Sequence, residues 1–287
     1  MMRLKLSLKN SVRYVLLFSL ALLNLCGCCN EIKPTYQEND IPRLVKKICK
    51  EEYNLEVTTF RTPTTLWIYA PLEKILHKDY GVDKDKIFDE EMLEKLRNIL
   101  TTTGRVLISS DNTPSFYVLV ASDVNVGIDY IIIGNVLDIK KSYAGFIPWM
   151  EANRRYLIKL HMSPKAIGDH AGGHVEPGDI QLCDFLAEQI AQRIGAEFQN
   201  ETMKKYFEME KSEGSFQDGR FLFEYSLKKI NEPPPEIEVK EKMLDIIAYC
   251  IKTYEFRDFT EVGLLDSLTQ DKINLNRGAI WGRVLAN

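Results

Sequence analysis

Apolar residues recur along this chain in two rhythms, one of helices and one of strands. A 3.6-residue stripe runs through residues 40–53, carried by Leu44, Val45, Ile48, Cys49 and Tyr53. It returns in residues 89–103 with Met92, Leu93, Leu96, Ile99 and Leu100. It appears again in 179–198 with Leu182, Phe185, Leu186, Ile190 and Ile194, and in 236–254 with Val239, Met243, Ile246, Ile247, Cys250, Ile251 and Tyr254. Asp40, Asp89 and Asp179 are placed to cap three of these helices, and Gly104 to end the second in the left-handed conformation.

Between the helices lie β-branched and aromatic runs. Residues 55–61 and 65–69 read as a strand pair across Thr62-Pro63-Thr64. The strongest β region covers 106–136, with strands over 106–109, 116–122 and 128–136. Turn signals separate them at Asp111-Asn112-Thr113-Pro114 and Asn125-Val126-Gly127. Residues 156–162 alternate as a further strand, in competition with a helix starting at Pro148. Phe221–Tyr225, 259–265 and 279–285 complete the strand candidates, and Pro233-Pro234-Pro235 forms a rigid spacer.

The pattern predicts an α+β fold, with amphipathic helices packed on mostly antiparallel sheet. Two similar halves, 40–163 and 164–287, are suggested by a repeated order of elements. Residues 66–75 are echoed at 222–230, and Glu91-Met92-Leu93 at Lys242-Met243-Leu244.

The N-terminus follows neither rhythm. Residues 1–13 carry Arg3, Lys5, Lys9 and Arg13 and no acid. Residues 14–25 are apolar apart from Ser19 and Asn24, a run too short to span a bilayer comfortably. The closing Leu25-Cys26-Gly27-Cys28 resembles the lipobox of bacterial lipoproteins, with an aliphatic residue, a small residue and then cysteine. The resemblance implies that residues 1–27 are a signal peptide and that Cys28 becomes an acylated N-terminus. It further implies a protein held by that lipid on the extracytoplasmic side of a bacterial membrane. Polar residues 28–39 would then be the tether.

Composition adds exclusions. The 287 residues hold 37 Lys and Arg against 41 Asp and Glu, a net charge of −4 that becomes −8 once the four basic signal residues are removed. An acidic body without a basic block is a poor nucleic-acid binder. Cys49, Cys183 and Cys250 fall inside helical stripes without metal spacing.

One loop concentrates chemistry. Residues 168–179 contain His170 and His174 with Asp169, Glu176 and Asp179. Imidazole and carboxylate suit zinc, and His170, His174, Glu176 and Asp179 are the candidate ligands of a tethered metal-dependent hydrolase. Against that, Gly172 and Gly173 between the histidines make a site costly to order, and Ala171 stands where a zinc-protease signature needs Glu. The aromatics Tyr143, Phe146, Trp149 and Tyr156 around Gly145 and Pro148 could instead line an exposed groove. Without a nucleophile elbow, a Walker loop or a Rossmann fingerprint, the reading favours a non-enzymatic binding or scaffolding module. It would have no cofactor, a membrane partner through Cys28, and an envelope protein as a second partner.

Overall fold

The computed structural model describes residues 34–78 and 87–283; the signal segment, Cys28 and the first half of the tether lie outside them. The fold is α+β, with two mixed sheets. The first half runs α1 (Ile41–Tyr53), β1 (Thr58–Arg61), β2 (Thr65–Leu72), α2 (Glu90–Ile108), β3 (Phe116–Asp123), β4 (Ile128–Asn135) and α3 (Val136–Tyr143). A short α4 (Trp149–Asn153) and an edge strand β5 (Leu157–Met162) follow. The second half runs α5 (Leu182–Phe198), β6 (Phe207–Gln217), β7 (Arg220–Lys229), α6 (Val239–Thr253), β8 (Glu261–Asp266), β9 (Lys272–Asn276) and α7 (Arg277–Gly282). The order α-β-β-α-β-β-α occurs twice.

Pairing repeats as well. β2 lies antiparallel to β1 and parallel to β3, which pairs antiparallel with β4; β7 stands in the same relation to β6, β8 and β9. A helix crossover is what lets the two central strands of each sheet run parallel. In both sheets one face carries the helices. Leu66, Ile68, Ala70 and Leu72 of β2 pack with α1 and α2 residues such as Val45, Met92 and Ile99. Phe221, Phe223 and Tyr225 of β7 pack with Ile190 and Ile194 of α5 and Met243 and Ile247 of α6. The far face of the first sheet is covered too, by residues 163–181 and by Phe185 and Tyr254 of the second half. That double cover explains why β3 is buried along its whole length.

Several expectations change. Gly104 does not end α2; the helix continues through it, and residues 106–108 are helical rather than a strand. A side chain at 104 would meet the Tyr143 ring, whose hydroxyl lies 3.2 Å from the position of a β-carbon, so the glycine serves close helix packing. Asp40 precedes α1 but makes no side-chain cap and pairs with Arg43 instead. Asp179 does not cap α5, which starts at Leu182 after Gln181. Residues 279–282 are helical, and the strand lies earlier, at β9. The proposed echo of 66–75 at 222–230 is out of register. It would align Tyr69 with Tyr225, yet Tyr69 lies on the far face and Tyr225 on the helix side. Matching the strand ends, Leu72 beside Asp123 and Tyr225 beside Asp266, restores the parity.

The halves meet through a partly buried ionic network. Arg155 bridges Asp138 (2.7 Å) and Glu151 (3.0 Å), and Arg193 of α5 grips both oxygens of Glu151 at 3.1 and 2.8 Å. Tyr249 of α6 donates to Glu151 at 2.9 Å, and Tyr254 donates to Asp138. Burial works to raise the Glu151 carboxyl, but the hydrogen bonds from Arg193 and Arg155 overcome it and hold it at about 2.

Candidate functional site

Strand register assembles the polar cluster that the sequence could not show. On the far face of the first sheet, Ser122 of β3 sits opposite Asp129 of β4, which sits opposite His161 of β5. The loop 163–181 lays His174 onto this row. Its Nδ1 is 2.6 Å from Asp169 Oδ2, and its Nε2 is 3.3 Å from Asp129 Oδ2 and 3.5 Å from Ser122 Oγ. Tyr69 stands edge-on to the imidazole, with ring centroids 5.5 Å apart, and donates its hydroxyl to the Asp169 carbonyl.

Asp169 is the hub of the loop. Its Oδ1 accepts the backbone N–H groups of Ala171 (3.0 Å) and Gly172 (2.8 Å), and its Oδ2 accepts that of His174 (2.9 Å). Burial would raise this carboxyl; the His174 ring and the converging amides outweigh it and hold Asp169 well below the usual carboxylate range. Gly172, at φ +80°, lies flat on the Tyr69 ring, where a β-carbon would come within 2.8 Å. The loop is fastened at its far end by Asp179, which accepts from Thr62 Oγ1 (2.5 Å), Thr64 N (2.8 Å) and Thr64 Oγ1 (2.8 Å). Trp67 Nε1 adds a bond to Gly178 O at 2.9 Å.

The four candidate ligands are therefore not brought together. His174 turns inward to Asp169 and Asp129, Asp179 is held by the β1–β2 turn, and His170 and Glu176 are exposed. Two carboxylates converge on His174 instead, one of them from 45 residues earlier in the chain. Among the described residues, no group of three or more His, Cys, Asp or Glu side chains is arranged to hold a metal ion.

Ser122, His174 and Asp169 follow the order of a nucleophile, base and orienter, but their bonding does not serve nucleophilic attack. The Ser122 hydroxyl donates to Asp129 Oδ1 at 2.5 Å rather than to the imidazole, and Ser122 is fully buried. His174 Nε2, the atom that would accept the proton, faces a carboxylate. The cluster binds the loop to the sheet. Nothing in the fold demands it, since the equivalent positions in the second sheet are Leu265 and Lys272.

The open site lies on the opposite face. Beyond α2, the helix side of the first sheet leaves an apolar cleft of about 360 Å³. Leu93, Leu96 and Leu100 form one wall, Tyr130, Ile132 and Ile158 the floor, and Tyr143, Trp149 and Tyr156 the end. Tyr143, Phe146 and Trp149 are exposed as the sequence anticipated, whereas Tyr156 is half-buried against Tyr117. Ile158, Leu160 and Met162 of β5 extend the apolar surface along a sheet edge. The signal for them was the alternation in 156–162, where both faces carry apolar residues. No protein-family model, no curated protein and no solved structure matches this chain.

Proposed function

We propose that the protein is a lipid-anchored envelope protein, tethered through Cys28, whose folded body is a non-enzymatic binding module working through the cleft between α2 and β5. One observation carries the binding part of this reading. The face holding the cleft is apolar, bordered by the edge strand β5 and open to solvent, whereas the richest cluster of reactive side chains is closed by its own hydrogen bonds. Large exposed apolar patches on a folded surface mark places where another surface or ligand docks. The hydrolase alternative has less support, because its four candidate side chains face different directions.

Titration with the apolar fluorophore 1-aminoanthracene tests the module. Saturable binding at one site, abolished by Ile158→Glu and retained in an exposed control variant on the second sheet such as Glu213→Gln, is the expected result. Failure to saturate, or ester hydrolysis lost in Ser122→Ala, would contradict it.

A further inference from the structure

The apolar surface at the end of the cleft has a chemistry that names its partner. Phe146, Trp149 and Met150 are 80%, 68% and 71% exposed, and they sit together on a short loop and the start of α4. Such exposure of three large apolar side chains in five residues is costly in water unless they are covered. The surrounding charge is unlike that of the rest of the chain. Residues 140–162 carry five Lys and Arg against one acid, Glu151, in a protein whose net charge is −4. Glu151 is turned inward to Arg155 and Arg193, which leaves Arg154, at the end of α4, and Lys141, whose carbonyl accepts the Phe146 N–H at 2.8 Å, beside the apolar tip; Lys140 donates to Thr113, and Lys159 faces the other side of β5 and pairs with Glu188. Aromatic rings that seat at the headgroup level, with cations beside them, are the side chains that an anionic bilayer surface selects.

The position of the tether agrees. Thr35 N donates to Ser109 O at 2.8 Å and Tyr36 bridges to Ser110, so the described chain begins beside the C-terminal end of α2. Tyr143, which leads into the loop, packs on Gly104 of the same helix end. From Cys28 to Thr35 is seven residues, a reach of at most about 25 Å. We infer that the tip formed by Phe146, Trp149 and Met150 seats in the anionic surface of the membrane to which Cys28 is attached, so that the body lies against the bilayer. The inference rests on the lipid-anchor reading. The two acyl chains of a diacylglyceryl group suffice to hold the protein on the bilayer, so the role assigned to this tip is to fix how the body lies against it.

The test uses full-length protein reconstituted into phosphatidylethanolamine–phosphatidylglycerol vesicles whose acyl chains carry bromine, a contact quencher of indole fluorescence. Of the tryptophans, Trp67 and Trp281 are half-buried and Trp149 is exposed. The expected result is a loss of emission relative to unbrominated vesicles that disappears in W149F, persists in W67F, and shrinks when phosphatidylglycerol is replaced by phosphatidylcholine. Palmitate labelling of the same preparation separates two failures. Labelled protein with no quenching at Trp149 overturns the inference and leaves the anchor standing. Unlabelled protein with Trp149 quenched upholds the tip and overturns the anchor. Absence of quenching together with photo-cross-linking from position 149 to a single envelope protein would assign the tip to a protein partner and overturn the inference.

Discussion

Asn135 and Asn276 end equivalent strands and start equivalent helices: each is the last residue of its strand, and each side-chain oxygen accepts a backbone N–H of the next helix, Leu137 N at 2.9 Å and Ala279 N at 2.9 Å. The likeness extends back to the preceding turn. Asp123 and Asp266 each accept two backbone amides ahead of them, and each turn closes on a residue at positive φ, Gly127 and Gln270. The two sheets thus share strand order and also the side-chain devices that fix their corners.

Those caps give a direct expectation. Asn135→Ala and Asn276→Ala should each lower stability by about 1 kcal/mol, the usual loss when an N-cap is removed. Chemical denaturation of the single variants checks this, with Gly replacements expected to lose only a few tenths.

His174→Ala should destabilise the fold by about 1–3 kcal/mol, since it leaves the buried Asp129 and the half-buried Asp169 with fewer partners. The loss should be local, seen in hydrogen exchange as lost protection of the Ala171, Gly172 and His174 amides, with the amides of α2 unaffected.

Acid should act most through two of the depressed carboxylates, one in the ionic network between the halves and one in the His174 loop. Glu151 is held at about 2, and Asp169 also lies below the normal carboxylate range. A folded-state pKa below the unfolded one contributes stability above the unfolded value, near 4, and loses it as pH falls through the folded value. The unfolding midpoint should therefore show no fall from these groups between about pH 5 and 7 and a steep one between about pH 4 and 2. In Glu151→Gln that fall should be shallower and the protein weaker at pH 7.

Arg155→Met removes the link between Asp138 and Glu151 and leaves Asp138, a buried carboxylate, with Tyr254 as its main partner. Breaking a buried pair from one side costs about 3–5 kcal/mol. Calorimetry should show the loss, and a melt resolved into two transitions would place the coupling of the halves in this network.

The strongly periodic parts of the fold were legible in the sequence. All four amphipathic helices and the run from Phe116 to Asn135 stand where the apolar spacing put them. The misses have a common cause, in that local signals were overruled by packing at a distance. Gly104 reads as a stop, yet Tyr143 needs a glycine there. β6 went unseen because its Glu and Lys residues alternate on a half-exposed hairpin. The cluster around His174 was legible only in its loop half. Asp169 and His174 are five residues apart, but Ser122 and Asp129 reach them through strand register, which no local pattern encodes. The exposed aromatics were readable because the breaks at Gly145 and Pro148 prevent a helix from burying them.

Mass spectrometry of the mature N-terminus tests the account most directly. Tryptic digestion of membrane-purified protein should yield the peptide running from Cys28 to Arg43, the Lys33–Pro34 bond being resistant to trypsin, with a diacylglyceryl group on Cys28, and Cys28→Ala should accumulate as an unacylated precursor that retains residues 1–27. An unmodified Cys28 peptide, or acyl labelling that survives in Cys28→Ala, would contradict the lipid anchor on which the proposed function stands.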